Sequence, residues 1–220
     1  GKRAGARQVV LVEGALSAAI GAALPVHEPV GNLIVDIGGG TTEFAVVSMG
    51  GVVDGRAISV GGFDLDAAIQ EHVRERYDVV IGDKTAERIK FAIGSAYPTA
   101  GGIRAVRVRG REASSGGPKD LELTEDEIRE AMSVPVREIV EAARATLAEA
   151  PPELTHDVLE TGMFLAGGGG LLRGMDMLLA QECEVSVHLT EQPLFTVIRG
   201  AGVLLEDLAA YRSTLQLQRT

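Results

Sequence analysis

The sequence predicts an α/β fold in which helices flank a mixed sheet. Short apolar runs bounded by glycines predict strands, and longer segments with apolar residues at helical spacing predict helices. These two kinds of segment alternate at both ends of the chain, and a middle stretch has helices and a hairpin of its own. We therefore expect a core formed by residues 1–62 and 131–220, with a smaller α+β subdomain, residues 63–130, inserted into it.

Composition and charge narrow the classes of function. The 220 residues include 31 acidic and 21 basic side chains, for a formal net charge of −10. Because a nucleic-acid-binding protein needs a basic face, this balance argues against a nucleic-acid partner. The one cysteine, Cys183, excludes an intrachain disulfide and predicts a buried, inert thiol in a reducing cytosol. No stretch reaches the roughly 18 apolar residues of a membrane span, so we expect a cytoplasmic protein. The start of the sequence, without an initiator Met, predicts a fragment or a processed chain.

The predicted core begins with strands and one helix of small residues. β-branched residues predict a buried strand at 8–12, and the alanine-rich run 15–24, which ends before Pro25, predicts a helix. Three further apolar runs joined by glycine turns predict an antiparallel meander. The strands of this meander are expected at 33–37, 42–48 and 52–59.

The inserted stretch is expected to hold two helices and a hairpin. Apolar side chains spaced as on one helix face predict a helix at about 64–77, and a second helix is expected at about 85–96, before Pro98. Alternating apolar residues near 106–108 and 121–123 predict two paired strands.

The rest of the chain returns to the core. Thr124 and Glu127 have capping-box spacing, which predicts a long helix through residue 149, kinked by Pro135. A strand at 162–166 then leads into four glycines. The remaining predicted elements are a helix at about 171–182, a strand at 185–189 and a terminal helix at about 193–211.

The first glycine turn is a candidate phosphate-binding loop. Three consecutive glycines allow a tight turn, and the lack of Cβ atoms lets a phosphate approach the backbone N–H groups. A carboxylate just before the turn suits a hydrated Mg²⁺, which prefers few carboxylates together with phosphate oxygens. A purely structural β-turn is the alternative for this glycine triplet. The residues of the candidate loop are Asp36, Gly38, Gly39, Gly40, Thr41 and Thr42.

Two further features are candidates for contacts with a nucleotide. A second glycine cluster at a strand-to-helix turn could bind an anion or pack against a flat ring, or it could serve only as a structural turn. Glu87 and Lys90 lie three residues apart on one predicted helix, so both side chains point the same way and could bind ribose hydroxyls. A solvated ion pair is the alternative for these two side chains. The glycines of the second cluster are Gly167, Gly168, Gly169 and Gly170.

These motifs together resemble the second half of the MreB family of bacterial actins. The resemblance covers nearly all 220 residues. Its glycine turns are common to the actin, sugar-kinase and 70-kDa chaperone superfamily, whereas 85–90 with 94–98 and 151–154 are more particular to MreB. The matching stretches are 31–43 (GNLIVDIGGGTTE), 82–90 (GDKTAERIK), 93–98 (IGSAYP), 106–111 (VRVRGR), 151–154 (PPEL) and 199–202 (RGAG).

The resemblance implies an actin-type lobe that binds ATP and Mg²⁺. Asp36 would act on Mg²⁺ through water, and the loop from Gly38 to Thr41 would donate N–H groups to the terminal phosphates. Glu87 and Lys90 would touch the ribose, and the second glycine cluster would face adenosine.

The resemblance also implies partners. MreB-like proteins form filaments on the inner membrane and organise cell-wall synthesis and rod shape. We therefore expect self-association or assembly with full-length MreB, contact with the cell-wall synthesis machinery, and membrane association that is only indirect. The arginines of 104–111 form a local basic strand, which predicts either a solvated strand face or a site for acidic lipid.

Two departures from the family bear on hydrolysis. MreB proteins usually read Glu-Glu-Pro where this chain has Glu13-Gly14-Ala15, and the second of these residues positions water in the superfamily. Gly14 has no side chain for this task, which would remove a rate contribution of roughly 10²–10⁴. Glu13 is the candidate substitute, although neighbouring strand residues point to opposite faces. The second departure is that the first half of an actin, with its own phosphate loop, is absent, so this chain offers one wall of a cleft.

Three functions remain open from the sequence. The first is an MreB-like cytoskeletal protein, or its isolated second lobe, that binds ATP–Mg²⁺ with impaired hydrolysis. The second is an active ATPase or kinase of the same superfamily. The third is an interaction scaffold that has kept the fold and no longer binds nucleotide.

Overall fold

The computed structural model describes residues 2–6, 9–98, 104–208, 211 and 216–217. Short 3₁₀ turns occupy Lys2–Ala4, Gly168–Leu171 and Pro193–Phe195. The strands are β1 (Val10–Leu11), β2 (Asn32–Ile37), β3 (Thr42–Ser48), β4 (Gly51–Ile58), β5 (Val79–Val80), β6 (Ala105–Glu112), β7 (Pro118–Thr124), β8 (Met163–Ala166), β9 (Val187–Leu189) and β10 (Gln216–Leu217). The α-helices are α1 (Gly14–Gly21), α2 (Gly62–Tyr77), α3 (Asp83–Ile93), α4 (Glu125–Ala131), α5 (Ser133–Glu149), α6 (Pro152–Thr161), α7 (Met175–Cys183) and α8 (Thr196–Glu206).

The main sheet is mixed, as expected, with strand order β4-β3-β2-β8-β9. Strands β4, β3 and β2 form the antiparallel meander, whereas β2, β8 and β9 run parallel. Because β2 and β8 are parallel neighbours, their carboxyl ends meet at one edge of the sheet. The two glycine clusters follow these two strands and therefore lie side by side.

Helices cover both faces of the main sheet because β2 and β3 alternate between two apolar sets. Leu33 and Val35 face a large core that includes α5 and α7. Ile34 and Ala45 face a second core built from α1 and α8. Asp36 continues the Ile34 side of β2, so its carboxylate lies on the α1 face, at the carboxyl end of the strand.

Helices α1 and α8 cross with almost no space between their backbones. A Cβ at Gly21 would lie 1.9 Å from the carbonyl oxygen of Thr196, and a Cβ at Gly200 would lie 1.8 Å from that of Ser17. The Ser17 hydroxyl donates a hydrogen bond to the carbonyl of Val197 across the same contact. Glycine is therefore required at both positions for the two helices to approach this closely.

The middle of the chain forms a second, three-stranded sheet with order β5-β6-β7, which packs with α2, α3 and α4. The arginines of β6 pair across the hairpin: Arg107 with Glu122, and Arg109 with Asp120. The basic strand is thus largely neutralised by acidic residues of β7. One continuous apolar core includes residues of both sheets, so the division at residues 63 and 130 remains a prediction.

The long helix expected through residue 149 is two helices. Helix α4 ends at Ala131 and α5 begins at Ser133, so the break precedes Pro135. Pro135 lies in the first turn of α5, where its missing N–H group breaks no helical hydrogen bond. The Thr124 hydroxyl caps α4 by accepting from the Glu127 N–H. The Glu127 carboxylate, however, accepts from Tyr77 and contacts His72 rather than completing the capping box.

The ends of the chain also differ from prediction. The described part of the segment expected as a buried strand at 8–12 pairs over two residues only, and the Leu11 side chain is 49% exposed. Helix α1 ends at Gly21, before the expected 24, and α8 begins at Thr196 after a 3₁₀ turn and ends at Glu206, short of 211. Helix α7 begins at Met175 rather than near 171, because Gly174 adopts a φ of 71° that breaks the helical path.

Two other expectations concern Cys183 and membrane spans. Burial raises the pKa of the half-buried Cys183 thiol to about 11, so the thiol stays protonated near neutral pH. Within the described ranges, none of the helices combines enough length and apolar character to cross a membrane.

We expect Gly200→Ala to lower the free energy of unfolding by about 1–3 kcal/mol, because the new methyl group overpacks the α1–α8 contact. Urea denaturation measures this change. The matched control is Gly202→Ala in the same helix, where a Cβ meets nothing within 4 Å. The control should raise stability by about 0.5–1 kcal/mol, since alanine is the better helix former. Equal effects of the two substitutions would contradict a close crossing at Gly200.

Candidate nucleotide-binding site

A cavity of about 370 Å³ opens at the sheet edge where β2 and β8 end. Its walls come from the two glycine clusters, the start of α2, one face of α3 and the turn before α7. The lining residues are Gly38, Gly39, Gly62, Phe63, Leu65, Asp66, Glu87, Lys90, Phe91, Gly94, Gly168, Gly169, Leu171, Leu172, Arg173 and Leu194.

The first glycine turn is held from one side by the start of α2. The N–H groups of Gly62 and Phe63 donate to the carbonyls of Gly38 and Gly39 at 2.9 and 2.7 Å. In a trans peptide the N–H group points opposite to the preceding carbonyl. The N–H groups of Gly39 and Gly40 therefore point away from α2, on the same side of the loop.

These N–H groups are available to a ligand. The N–H of Gly38 closes the turn onto the carbonyl of Thr41 at 2.9 Å. No described residue accepts a hydrogen bond from the N–H groups of Gly39, Gly40 or Thr41, and all three residues are exposed. Converging free N–H groups on a glycine turn form the kind of concavity that binds anions.

Asp36 lies behind this loop, at the end of β2. It is paired across β2 and β3 with Glu43, and burial, with the charge of Glu43 as a smaller cause, raises the pKa of its carboxyl group. Among the described residues, none donates a hydrogen bond to Asp36 or forms an ion pair with it. A half-buried carboxylate in this state gains from a nearby cation.

The two threonines after the turn differ in their surroundings. Thr42 is fully buried, and its hydroxyl donates to the carbonyl of Val60 at 2.8 Å, which ties β3 to the segment before α2. Thr41 is exposed and its hydroxyl has no hydrogen bond within the described chain. Thr42 thus holds the loop in place, whereas Thr41 is accessible.

The second glycine cluster divides into two parts. Gly168 and Gly169 line the cavity. Gly167 has a φ of 80° and lies against Asp36, where a Cβ would come within 2.4 Å of the carboxylate. Gly170 is buried against Leu165. The two outer glycines, Gly167 and Gly170, are therefore needed for close packing, whereas Gly168 and Gly169 between them border the cavity.

Glu87 and Lys90 line the same cavity, but they do not pair with each other. Glu87 is exposed. The Lys90 ammonium donates to the carbonyl of Gly62 at 2.7 Å and lies 2.9 Å from Asp66, with only 10% of its side chain exposed. Lys90 therefore joins α3 to the start of α2. Burial raises the pKa of Asp66 even though Lys90 acts to lower it.

Glu13 and Gly14 are not in a strand, contrary to the sequence-based expectation. Glu13 is the residue before α1 and is exposed, and Gly14 is the first residue of the helix. The argument from alternating strand faces therefore does not apply. Instead, the Glu43 carboxylate fills the space beside Gly14: a Cβ there would lie 2.6 Å from Oε2. A carboxylate is favourable at this position because it faces the positive end of the α1 dipole.

Several lining residues were not found from the sequence. Phe63, Asp66 and Arg173 looked like ordinary helix or turn residues. Arg173 donates to the carbonyls of Gly94 and Ala92, at the end of α3, and so fixes that helix against the second glycine cluster. The one available signal was the pair Gly61-Gly62, which places a helix start next to a candidate phosphate loop.

A self-contained metal site is not part of this arrangement. Over the described ranges, no three His, Cys, Asp or Glu side chains are grouped so that they could hold a metal ion. Asp36 supplies one unpartnered carboxylate beside the loop, which fits a hydrated Mg²⁺ that arrives with a phosphate group.

Comparison with known proteins identifies the family. The family model described as MreB/Mbl protein matches residues 1–213. The cell shape-determining protein MreB of Escherichia coli K12 is 49% identical over 203 residues, which is 92% of this chain and 58% of that protein. The chain therefore spans less than two thirds of this relative's length.

Solved structures agree with the sequence comparison. MreB5 of Spiroplasma citri bound to ADP superposes with a TM-score of 0.90 at 34% identity, over 94% of this chain and 63% of that one. MreB5 has also been solved bound to AMPPNP, and that structure superposes with a TM-score of 0.91. A MamK double helical filament has a TM-score of 0.68 at 22% identity, over 89% of this chain and 59% of that one, and so supports the fold alone. The chain has the actin-like fold and belongs to the MreB/Mbl family.

Proposed function

We propose that this chain forms one wall of an actin-type nucleotide cleft and binds ATP with Mg²⁺. The observation that carries the proposal is the first glycine turn, whose carbonyls are held by α2 while the N–H groups of Gly39, Gly40 and Thr41 remain free. MreB5 of Spiroplasma citri, which has the same fold, has been solved bound to ADP and bound to AMPPNP, and this supports nucleotide binding by the present chain.

The proposed roles follow the positions of the residues. The free N–H groups from Gly39 to Thr41 bind the terminal phosphates, and Gly38 closes the turn. Asp36 holds a hydrated Mg²⁺ through water. When bound, this ion would neutralise phosphate charge. Thr42 fixes the loop from beneath.

The cavity beside the loop is proposed to hold the nucleoside. Glu87 is exposed at the cavity wall and binds a ribose hydroxyl. The Lys90 ammonium contacts the Gly62 carbonyl and the Asp66 carboxylate, and its third N–H group is proposed to bind the ribose. The second glycine cluster, Gly167 to Gly170, faces adenosine, with Gly168 and Gly169 at the cavity surface.

Hydrolysis is proposed to be impaired. No side chain projects from Gly14, and Glu13 is an exposed residue at the helix start. An active ATPase or kinase would instead give a rate of phosphate release well above that of buffer alone when the protein is present at micromolar concentration.

The proposed biological role is that of the family. The relative in E. coli is named a cell shape-determining protein, which supports a role in cell shape. Cell-wall organisation at the inner face of the membrane is proposed together with this role. We propose that the chain acts in cell shape through self-association or through assembly with full-length MreB. The cell-wall synthesis machinery is proposed as a further partner. Sedimentation of the chain with ATP and Mg²⁺, alone and mixed with full-length MreB, tests assembly.

We expect Asp36→Ala to abolish measurable ATP–Mg²⁺ binding in calorimetry, because the variant loses the carboxylate that is proposed to hold the hydrated Mg²⁺ beside the phosphate loop. The matched control is Asp54→Ala on the edge strand β4, which should leave affinity unchanged. Binding that survives Asp36→Ala would contradict the assignment of the loop. If calorimetry of the native chain with ATP–Mg²⁺ detects no binding, the result would instead favour a scaffold that does not bind nucleotide.

Asp36 also links the site to stability. Because its pKa is raised in the folded state, the charged Asp36 carboxylate lowers the free energy of unfolding, and this loss is fully present at neutral pH. As pH falls through the raised pKa towards the ordinary value of 3.8, the carboxyl group becomes protonated and this cost disappears. Asp36→Asn should therefore raise the free energy of unfolding near neutral pH, with a gain that shrinks as the solution is acidified.

Urea denaturation of the native chain and the Asn variant at several pH values measures this difference. Asp54→Asn serves as the control for substitution of a carboxylate elsewhere on the sheet. The unpartnered state of Asp36 would be contradicted if the stability gain of Asp36→Asn grew on acidification, or if this variant were less stable than the native chain near neutral pH.

Glu87→Gln is expected to weaken binding of adenosine and of ATP–Mg²⁺ by a similar factor, about three- to tenfold, since one charge-assisted hydrogen bond to the ribose is lost. Arg88→Gln, at the next position on the same helix, is the control. Calorimetry with both ligands gives the two factors. If the Glu87→Gln variant binds both ligands as tightly as the native chain does, Glu87 does not contact the ribose.

A further inference from the structure

Phe63 is an aromatic side chain placed between the cavity and the phosphate loop. It is the second residue of α2 and remains 70% exposed. Its ring Cζ lies 3.0 Å from the position of a Cβ on Gly39, and its Cδ2 lies 3.7 Å from that of Gly40. The ring thus lies directly against two glycines whose N–H groups are free.

The backbone around Phe63 leaves the side chain little choice of direction. The Phe63 N–H donates to Gly39, the Gly62 N–H donates to Gly38, and Asp64 accepts from the N–H of Gly61 at 2.8 Å. These three hydrogen bonds fix the start of α2 against the loop. A side chain at the second position of the helix must then leave the backbone beside the loop.

An aromatic ring is a poor neighbour for phosphate. The face of a phenyl ring carries partial negative charge, and its carbon atoms donate no conventional hydrogen bond. A phosphate that approaches Gly39 and Gly40 therefore loses water on the Phe63 side without gaining a partner there. The nucleoside part of a ligand has the opposite preference, because a flat base gains from apolar contact.

The ring is also not needed to complete the apolar core. Leu65 and Ile69 of the same helix are fully buried, whereas Phe63 is largely exposed and borders the cavity. Phe91, from α3, borders the same cavity and is 72% exposed. Truncating either ring should leave the fold intact.

We propose that Phe63 determines how strongly the site discriminates between phosphorylated and unphosphorylated nucleosides. The ring lies against the space that Cβ atoms on Gly39 and Gly40 would occupy and narrows the approach to the loop, so phosphates add less to affinity than an open loop would allow. The proposal rests on nucleotide binding at this site, and it assigns to Phe63 the selection of the phosphorylation state of the ligand.

Calorimetry of the full chain with adenosine, ADP–Mg²⁺ and ATP–Mg²⁺ tests this role. Phe63→Ala should bind ADP and ATP about tenfold more tightly than the native chain, while adenosine affinity changes by less than about twofold. Phe63→Leu, which keeps an apolar side chain without the ring, should fall between the two. Phe91→Ala is the matched control, and it should change the three affinities by one common factor.

The outcomes separate the two proposals. If no ligand binds the native chain or any variant, the proposed nucleotide site is wrong. If the ligands bind but Phe63→Ala leaves the ratio of ATP to adenosine affinity unchanged, Phe63 does not select the phosphorylation state. Weaker binding of adenosine to Phe63→Ala would also overturn the proposal, because the ring would then be a contact for the base. Unchanged thermal midpoints verify that each variant is folded.

Discussion

Two backbone hydrogen bonds, from Gly62 to Gly38 and from Phe63 to Gly39, organise the whole candidate site. They turn the loop carbonyls towards α2 and, because the peptides are trans, turn the next N–H groups outward. They also set the position at which α2 begins. Lys90 and Asp66 strengthen the same junction through the carbonyl of Gly62 and the ion pair between them. The main sheet, the first glycine turn and helices α2 and α3 are therefore joined at one place.

The glycines at this edge perform two different tasks. Gly39 and Gly40 keep the backbone open to a ligand, whereas Gly167 allows the second turn to pass next to Asp36. Burial and the charge of Glu43 disfavour the charged form of Asp36, so a cation bound beside this carboxylate would stabilise the site.

Local patterns predicted much of this fold, and long-range contacts account for what they missed. The glycine turn with Asp36, the meander and the helix at 64–77 follow from spacing within a few residues, and they were found. The break at Met132, the inward Lys90 and the carboxylate of Glu43 beside Gly14 depend on partners distant in sequence. The neighbouring pair Gly61-Gly62 indicated a helix start near the loop but did not single out Phe63, because an apolar residue near a helix start usually faces the core. Its exposed position follows only from the hydrogen bonds that fix α2 against the loop.

The candidate site depends on the outward N–H groups of Gly39 and Gly40 and on the free N–H group of Thr41, and amide NMR spectra of the ¹⁵N-labelled chain test these three groups most directly. On addition of ATP–Mg²⁺, the amide resonances of Gly39, Gly40 and Thr41 should show the largest shifts, and adenosine should move them much less. The amide of Gly38, which is bonded to Thr41 within the turn, should respond less than its neighbours. Binding of ATP–Mg²⁺ that moves resonances elsewhere but leaves these three unchanged would contradict the account.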